Sequence, residues 1–523
     1  MITWQRALRL VFGAPDVIEP TGGSGSQFLV VSFAWLLPCM LYWLLMSGGP
    51  PFDLLFPVGD GMVFNNMLAH LLHGSFEVNP NVLGGEAFVR NGRTYTYFGV
   101  FCALLRLPLI PFGKLETTDI TAASIVAAAS VSWLFRLLAL RTVLTRGGQS
   151  APSGGLVALL VLAFGCGGEG VQFMRASIYQ EVMSWADAFA SLFVFLVIFY
   201  LIDSTPRRFV VLPYMGLAAG LALLTRVSTG LGLYVATTLI LLIESFRVMV
   251  ARHRDDRPLE TANPRGHRHG LGPWFLSRLV GCLAVLGLFA LLAGAVNYER
   301  WGNPLTFADF RYYRLWAGVS MLKKLGEFNI VRLPLGLQYY FFPLWIVQAH
   351  DGTLLFEGYF RRMVESAELP PGSFFLSDPL VVVLSVLFAW QLRKARRLAV
   401  LDTTLACAAL AGLAVPACLM LVAMVMAFRY RMEFYPFFDT ASLLGLFCAL
   451  RFNMLSRGRR LARVSSVVAV MAIPAAFFSL LLYKLSPFGW GWGLDLAHGW
   501  AGYYSRRFVG QYPYVTVWLS RHL

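Results

Sequence analysis

The sequence predicts an all-α polytopic membrane protein, and three observations lead to that class. The chain has 523 residues, of which 57% are hydrophobic and only 14% are charged. Apolar runs of about 20 residues, the length that crosses a bilayer, recur from end to end. Because lipid offers no partner to backbone N–H and C=O groups, the spans are expected to be helices rather than open sheet. The net charge of +15 is explained by basic cytoplasmic loops facing anionic lipid, so nucleic acid is not an expected partner.

Eleven apolar runs are long enough to be transmembrane helices: 27–46, 118–140, 153–173, 179–202, 209–225, 228–247, 279–297, 376–392, 399–426, 434–451 and 464–483. Two further runs, 98–112 and 333–347, have about fifteen residues each, which is short of a span. The first also contains Arg106 and two prolines. We expect both shorter runs to be interfacial or re-entrant.

The distribution of basic residues predicts the orientation of these spans. With the N-terminus inside, the inside segments hold most of the arginines and lysines, whereas the short outside turns hold Arg175, Arg226, Arg429 and Arg431. This is the bias that the positive-inside rule describes. The expected organisation is a cytoplasmic interfacial segment at 1–26, a membrane domain at 27–483 with periplasmic loops 47–117 and 298–375, and an aromatic-rich periplasmic interfacial tail at 484–523.

Charged residues gather at the predicted outer rim of the membrane. Asp60 follows the first span, Arg175 and Glu181 lie at the turn between spans three and four, and Arg226 ends span five. Arg429, Arg431 and Glu433 lie after span nine. Ionisable groups near hydrocarbon are costly, so this set predicts a polar site that binds an anionic lipid head. Two alternatives stay open: arginines that reach to the headgroups, and simple pairing of Arg431 with Glu433.

The segment FPVGDGMVFNNMLAHLLHG (56–74) predicts an amphipathic helix on the outer membrane surface. Phe64, Met67, Leu68, Leu71 and Leu72 make an apolar stripe, and Asn65, Asn66, His70 and His73 lie off it. Gly59 and Gly61 allow a sharp bend, which would fix Asp60 at the helix start, where the helix dipole favours its carboxylate. The alternative is that Asp60 is only an N-cap.

Further polar residues of the first loop are candidates for a metal site or a substrate site. His70 and His73 share a helix face and could bind a metal with Glu77, although an HxxH pair alone is a weak signal. The segment NGRTYTYFG brings Arg93, Tyr95 and Tyr97 into the same loop.

The order of several short motifs resembles the GT-C superfamily of membrane glycosyltransferases, especially bacterial polyprenyl-phosphate-sugar transferases. The superfamily also includes protein O-mannosyltransferases and oligosaccharyltransferase catalytic subunits. The similar segments are an early acid in the first outward loop, NNMLAHLLHG, GRTYTYFG before ALLRLP, IYQEVMSWA (178–186), LLTRVS (223–228), NYERWGNPLTF (297–307) and FRYRMEFYPF (428–437). The resemblance implies a GT-C-like helical bundle whose first periplasmic loop carries amphipathic helices and part of the active site.

The chain departs from many relatives because Asp60 has glycines on both sides where they have a second acid. A family metal site is therefore not carried over: no cofactor is certain, and a divalent metal is not supported by a paired-acid motif. Glu181 is the best sequence candidate for a second catalytic acid, with an acceptor-orienting role or pairing with Arg175 as alternatives.

The resemblance implies an inverting glycosyltransferase in the bacterial inner membrane with a periplasmic active site. Its donor would be a polyprenyl-phosphate sugar and its acceptor a hydroxyl of a glycolipid or cell-envelope polymer. Asp60 would act as general base. Arg93, Arg226, Arg429 and Arg431 would bind the donor phosphate, and Tyr95, Tyr97, Arg175, Glu433 and Asn65 would bind substrate.

Two rival functions are kept. The first is a lipid or glycolipid transporter, which is expected to place charges at the bilayer midplane, where the sequence suggested none. The second is an O-antigen polymerase or ligase, for which the long late outer loop 298–375 is the argument.

Overall fold

The structure is a computed structural model, and it describes residues 24–47, 51–148, 153–203, 206–255, 273–314, 320–342, 372–456 and 459–485. The expectations for residues 1–23, for most of the second half of loop 298–375 and for the tail beyond 485 lie outside the described residues.

A helix lies at each of the eleven predicted spans, which confirms the all-α polytopic membrane class. In chain order they are α1 (Ser24–Ser47), α5 (Thr121–Gly147), α6 (Gly154–Cys166, continued by the short α7, Gly168–Gln172), α8 (Ile178–Ile202), α9 (Leu212–Thr225), α10 (Val227–Asp255), α11 (Pro273–Trp301), α15 (Pro379–Arg397), α16 (Thr403–Leu421), α17 (Tyr435–Arg451) and α18 (Arg460–Leu485).

Nine spans in the described part of the chain are long and apolar enough to cross a bilayer, two fewer than the eleven helices. The two others are α15, whose last turn carries Lys394, Arg396 and Arg397, and α17, which has only 17 residues. These two helices pack against each other within the bundle. They complete the bundle without being apolar spans of full length.

The remaining elements build the loops. The first loop holds α2 (Val63–Leu72), α3 (Pro80–Leu83), the antiparallel strands β1 (Phe88–Arg90) and β2 (Arg93–Tyr95), and α4 (Phe101–Leu104). Later loops hold α12 (Ser320–Leu325), α13 (Leu333–Phe341) and α14 (Phe374–Ser377). Short 3₁₀ turns are Gly84–Glu86, Leu107–Leu109, Pro206–Val211, Phe310–Tyr312, Ile330–Arg332 and Phe428–Glu433.

The segment 98–112 does not span, as predicted, because it breaks into α4 and one 3₁₀ turn. Arg106 between them is fully buried and directs its guanidinium at Glu181 of α8, with Nη2 donating to Oε2 at 2.8 Å. Arg106 Nη1 also donates to the Cys102 carbonyl at 3.0 Å. This buried ion pair attaches the first loop to α8, the helix at the centre of the bundle. Of 333–347, the structure describes only the part that forms α13 and Phe342.

The amphipathic helix α2 was expected to lie flat on the membrane, and this expectation is wrong for its apolar stripe. Phe64, Met67 and Leu68 are buried in a cluster that includes Ile178 and Val182 of α8. These three residues of the stripe are therefore covered by protein, whereas Leu72 at the end of the helix is exposed. The apolar period is the same for a protein and a lipid partner, so the sequence pattern could not distinguish them.

Candidate active site

The VGDGM turn holds Asp60 in an unusual backbone conformation. Asp60 has φ of +60°, in the left-handed region that Asp and Asn tolerate better than most other residues. Gly61 must be glycine for another reason: a Cβ there would lie 2.0 Å from Asp119 Oδ2. The buried Asp119 carboxylate accepts from the Val58 N–H and the Thr121 N–H, both at 2.8 Å. The turn is therefore fastened to the start of α5.

Asp60 is not the N-cap of the following helix. The N-cap position of α2 is Met62, and it makes no side-chain capping hydrogen bond. The Asp60 backbone carbonyl accepts from the Val63 N–H at 3.1 Å, while its carboxylate makes no hydrogen bond to any residue that the structure describes. The interpretation of Asp60 as a cap only is therefore wrong, because the helix begins two residues too late for it.

A second acid faces Asp60, but it comes from elsewhere in the loop. Burial raises the pKa of Asp60, and the negative charge of Glu86 raises it further. Glu86 ends the 3₁₀ turn Gly84–Glu86 just before β1. Glu86 was not among the acids predicted from the sequence, because it does not adjoin Asp60 in the chain. The sequence feature that could have indicated it is GGE within NVLGGEAF, where Glu86 follows two glycines in the same outward loop.

Three tyrosines and Arg429 lie around the two acids on the side of the helical bundle. The Tyr179 hydroxyl at the start of α8 hydrogen-bonds Glu86. The Arg429 guanidinium lies over the Tyr179 ring at 4.4 Å and over the Tyr430 ring at 5.2 Å. Tyr97 interacts electrostatically with Glu86 and Arg429. Burial and the negative charge of Glu86 raise the pKa of its hydroxyl well above the usual value, so the hydroxyl stays neutral.

Arg226, which directly follows α9, is the next charged residue of the outer rim. Its guanidinium forms an ion pair with the buried Glu433 carboxylate and lies over the Tyr430 ring at 4.9 Å. Pairing of Arg431 with Glu433, one of the sequence alternatives, is therefore wrong. Residues two apart in a 3₁₀ turn such as Phe428–Glu433 point in different directions, so the two side chains reach different neighbours.

Three predicted site residues are instead held inside the protein by hydrogen bonds to other residues. Arg431 is fully buried and donates to Asp378 Oδ2 and to Ser377 Oγ, each at 2.6 Å. Asn65 is buried and donates to the Leu115 and Thr118 carbonyls, at 2.7 and 2.8 Å. The third is Glu181, which pairs with Arg106 as described above and not with Arg175.

The remaining predicted residues lie around the site. Arg93 is exposed on β2 and pairs with Glu77 at 3.2 Å. Tyr95 packs its ring on Trp301 at 6.0 Å. Arg175 is buried in the wall of a cavity of about 350 Å³ that is also lined by Met46, Phe56, Pro57, Val58, Met174 and Ala176. Because the Val58 carbonyl accepts the Gly61 N–H at 3.0 Å, this mostly apolar cavity adjoins the Asp60 turn.

The candidate metal ligands of the first loop are engaged in other contacts or too few to form a full set. In the part of the chain that the structure describes, no group of three or more His, Cys, Asp or Glu residues is arranged to hold a metal ion. His73 Nδ1 lies 2.8 Å from the Ala69 carbonyl, and Glu77 is bound by Arg93. Asp60 and Glu86 could supply carboxylate oxygens, and one or two carboxylates hold Mg²⁺ only where water and substrate phosphates complete its ligands.

The structure also places charges inside the bundle, where the sequence analysis expected none. Arg136 of α5 donates to Glu169 Oε2 at 2.6 Å and lies 3.7 Å from Asp187 Oδ2 of α8. Asp439 of α17 is buried beside them. The argument that a lack of interior charges disfavours a transporter is therefore wrong.

Comparison with known proteins gives structural neighbours only. No family model matches the chain, and no curated protein matches it. The oligosaccharyltransferase AglB of Archaeoglobus fulgidus, in complex with an inhibitory peptide and a dolichol-phosphate, is similar with 14% identity and a TM-score of 0.48 over 87% of this chain and 56% of that chain. The apo form of the A. fulgidus oligosaccharyltransferase gives 13% identity and a TM-score of 0.47 over 88% and 56%.

The chain thus spans little more than half the length of these solved proteins. At such low identity the likeness concerns only the path of the chain. The activity of this protein has to be argued from its own residues.

Proposed function

We propose that the protein is an inverting membrane glycosyltransferase that moves a sugar from a polyprenyl-phosphate donor to an acceptor hydroxyl. The observation that carries the proposal is the Asp60 carboxylate. It is held in a left-handed turn and is exposed, its pKa is raised in part by the negative charge of a second acid, Glu86, and it makes no hydrogen bond to the described residues. A strained acid with a raised pKa is the kind of group that enzymes use as a base.

In this mechanism Asp60 takes the proton of the acceptor hydroxyl. The acceptor oxygen then forms a bond to the anomeric carbon while the bond from that carbon to the phosphate oxygen breaks, and polyprenyl phosphate leaves. Attack from the face opposite the phosphate inverts the anomeric centre. A positioned base of this kind contributes about 10²–10⁴ in rate.

The leaving phosphate needs a cation, and Arg429 is the first candidate. Its guanidinium stacks on Tyr179, whose hydroxyl bonds Glu86, so the arginine and the acid pair are joined by one side chain. Arginine binds phosphate oxygens in a planar fork and stays charged. Arg226 is the second candidate, since it lies over the same Tyr430 ring as Arg429. Arg431, which is fully buried against Asp378, and Arg93, which is exposed on β2, become weaker candidates.

Other residues support the isoprenoid donor and the periplasmic location of the site. The mostly apolar cavity beside the Asp60 turn, with Arg175 in its wall, suits the phosphate end of an isoprenoid. The bias of basic residues toward the inside supports a periplasmic site in a bacterial inner membrane. No step of the mechanism uses a metal.

A transporter of lipid-linked sugars is the second candidate function. The observation that favours it is the buried charge group of Arg136, Glu169, Asp187 and Asp439, because intramembrane ionisable residues often mark a transport path. The O-antigen polymerase or ligase alternative depends on loop 298–375, much of which lies outside the described residues.

One experiment separates the two candidates. Purified full-length protein is incubated in detergent with a radiolabelled short-chain polyprenyl-phosphate sugar and extracted cell-envelope glycolipid. In parallel, proteoliposomes are loaded with the same labelled donor, and its movement between leaflets is followed. We expect label to reach the glycolipid in detergent, where no leaflets exist. Movement across the bilayer with no transfer in detergent would replace the enzyme with the transporter.

A further inference from the structure

A buried group of three carboxyls and one arginine lies below the candidate active site, and the proposed mechanism does not use it. Glu169 is on α7, Asp187 on α8 and Asp439 on α17, while Arg136 reaches them from α5. All four residues are at least nine-tenths buried. The three acids therefore come from three different helices of the bundle. We call this set the carboxyl cluster.

The contacts within the carboxyl cluster bring acid against acid. Arg136 Nη1 donates to Glu169 Oε2 at 2.6 Å, and the Ser132 hydroxyl donates to Asp187 Oδ2 at 2.5 Å. Asp439 lines the same small cavity as Arg136 and Glu169, and Asp187 Oδ2 lies 3.7 Å from Arg136 Nη2. Glu169 Oε1 is buried, and no N–H or O–H donor among the described residues satisfies it.

The groups that face the cluster from neighbouring elements do not supply the missing positive charge. Tyr42 of α1 gives its hydroxyl proton to the Gly165 carbonyl at 2.5 Å. Asp378, ahead of α15, is already paired with Arg431. The Tyr435 hydroxyl is bonded to the Gln172 amide. Among the described residues, three acids thus share one cation, Arg136.

Three ionised carboxylates beside one guanidinium would leave two uncompensated negative charges in a low-dielectric interior. Burial of an unpaired charge is so costly that an acid binds a proton instead. Neighbouring carboxyls also oppose each other's ionisation, whereas a proton shared between two of them makes a hydrogen bond. A proton would satisfy the buried Glu169 Oε1 in the same step.

We propose that the carboxyl cluster is a proton-binding site that holds protons at neutral pH and so keeps α7, α8 and α17 together. Asp187 lies about two turns below Tyr179 on α8, and α17 follows directly on the segment that carries Arg429 and Glu433. Loss of the protons would place like charges between the helices that carry the outer rim. The site therefore makes the packing beneath the rim sensitive to alkaline pH.

The chain contains a matched control in a second buried acid. Glu244 on α10 accepts from the Tyr200 hydroxyl at 2.9 Å and from Arg208 Nη2 at 3.0 Å, and Arg247 lies 3.7 Å away. With two arginines beside it, Glu244 has the positive charge that the cluster acids lack. It is as deeply buried as the cluster acids and differs from them in its charge balance.

The test is infrared spectroscopy of the purified full-length protein without substrate, so it does not depend on the proposed function. Protonated carboxyls have their own C=O stretching band, separate from that of carboxylates. We expect this band in the parent at neutral pH and a decrease in it as the pH rises. Asp439→Asn should reduce the band at neutral pH, whereas Glu244→Gln should leave it at the parental intensity.

Thermal unfolding of the same samples gives the second readout. A proton held in the folded state but not in the unfolded state stabilises the fold at low pH, and this contribution is lost as pH rises. The unfolding midpoint of the parent should therefore fall toward alkaline pH, and it should fall less in Asp439→Asn, whose amide stays neutral. If that variant does not fold, Asp187→Asn takes its place, and the parental spectrum alone is still decisive. Absence of the protonated band from the parent at neutral pH, or an undiminished band in the amide variant, would overturn the proposal.

Discussion

Replacing Gly61 with alanine tests whether the Asp60 turn is fixed by the carboxylate behind it. The new Cβ would lie 2.0 Å from Asp119 Oδ2 and 2.6 Å from its Cγ, so the carboxylate has to move. In moving it gives up the hydrogen bonds from Val58 N–H and Thr121 N–H, both 2.8 Å long. A hydrogen bond to a charged group is worth about 1.5–3 kcal/mol, so loss of both would cost about 3–6 kcal/mol.

The assay is reversible unfolding of Gly61→Ala in mixed micelles, compared with Gly155→Ala. A Cβ at Gly155 would meet nothing within 4 Å, and this control should be neutral or slightly stabilising. The double variant Gly61→Ala, Asp119→Ala should be little worse than Asp119→Ala alone, because the clash and the lost bonds concern the same carboxylate. A fully stable Gly61→Ala, or costs that simply add, would show that Asp119 does not fix the turn.

Three further predictions concern charges of the site and its orientation. Arg429→Ala should lower donor use about ten- to hundred-fold at parental stability. Arg431→Ala should instead lose about 3–5 kcal/mol of unfolding free energy, because it leaves the buried Asp378 carboxylate unpaired. Equal stability of the two variants would contradict this. Because the charge of Glu86 raises the pKa of Asp60, Glu86→Gln should move the acid limb of the pH–rate profile to lower pH, and an unmoved limb would show that Asp60 is not the group that titrates. An impermeant thiol reagent applied to intact spheroplasts should label a single cysteine placed beside Asp60 but not one beside Arg459, and the reverse pattern would invert the topology.

Most of the membrane fold could be predicted because the span length and the polarity of lipid leave few choices. Each apolar run longer than about 17 residues became a helix, and the short run 98–112 broke at Arg106. What the runs could not show was the partner of each helix face. Phe64, Met67 and Leu68 of the α2 stripe pack on protein that includes α8, a partner that the sequence could not reveal because an apolar stripe suits protein and lipid equally.

The candidate site could be located from sequence, but its pairings could not. Asp60 between two glycines indicated a special turn, and the structure shows the left-handed backbone there. Its acidic neighbour Glu86 lies 26 positions away in the same loop, and Arg226 finds Glu433 over 207 positions. Such contacts depend on how the helices pack. Sequence proximity therefore suggested Arg431 as an alternative ion-pair partner of Glu433.

The interior charges were missed for a related reason. A window of apolar residues tolerates one arginine without losing its helical character, so Arg136 passed as part of a span. The neighbouring acids Glu169, Asp187 and Asp439 belong to three other helices, and each lies among apolar residues in the sequence. Only the assembled bundle shows that they meet.

Asp60→Asn tests the central claim most directly. Asparagine has the same size, tolerates the left-handed conformation and cannot take a proton at neutral pH. Alanine would add a backbone cost of about 1–2 kcal/mol and so confuse folding with chemistry. The measurement is the rate of sugar transfer from a short-chain polyprenyl-phosphate donor to extracted glycolipid, with donor binding and the thermal unfolding midpoint recorded on the same preparation. The account predicts parental stability and parental donor binding with transfer reduced by about 10²–10⁴. Transfer by Asp60→Asn at close to the parental rate would contradict it and remove Asp60 from the role of general base.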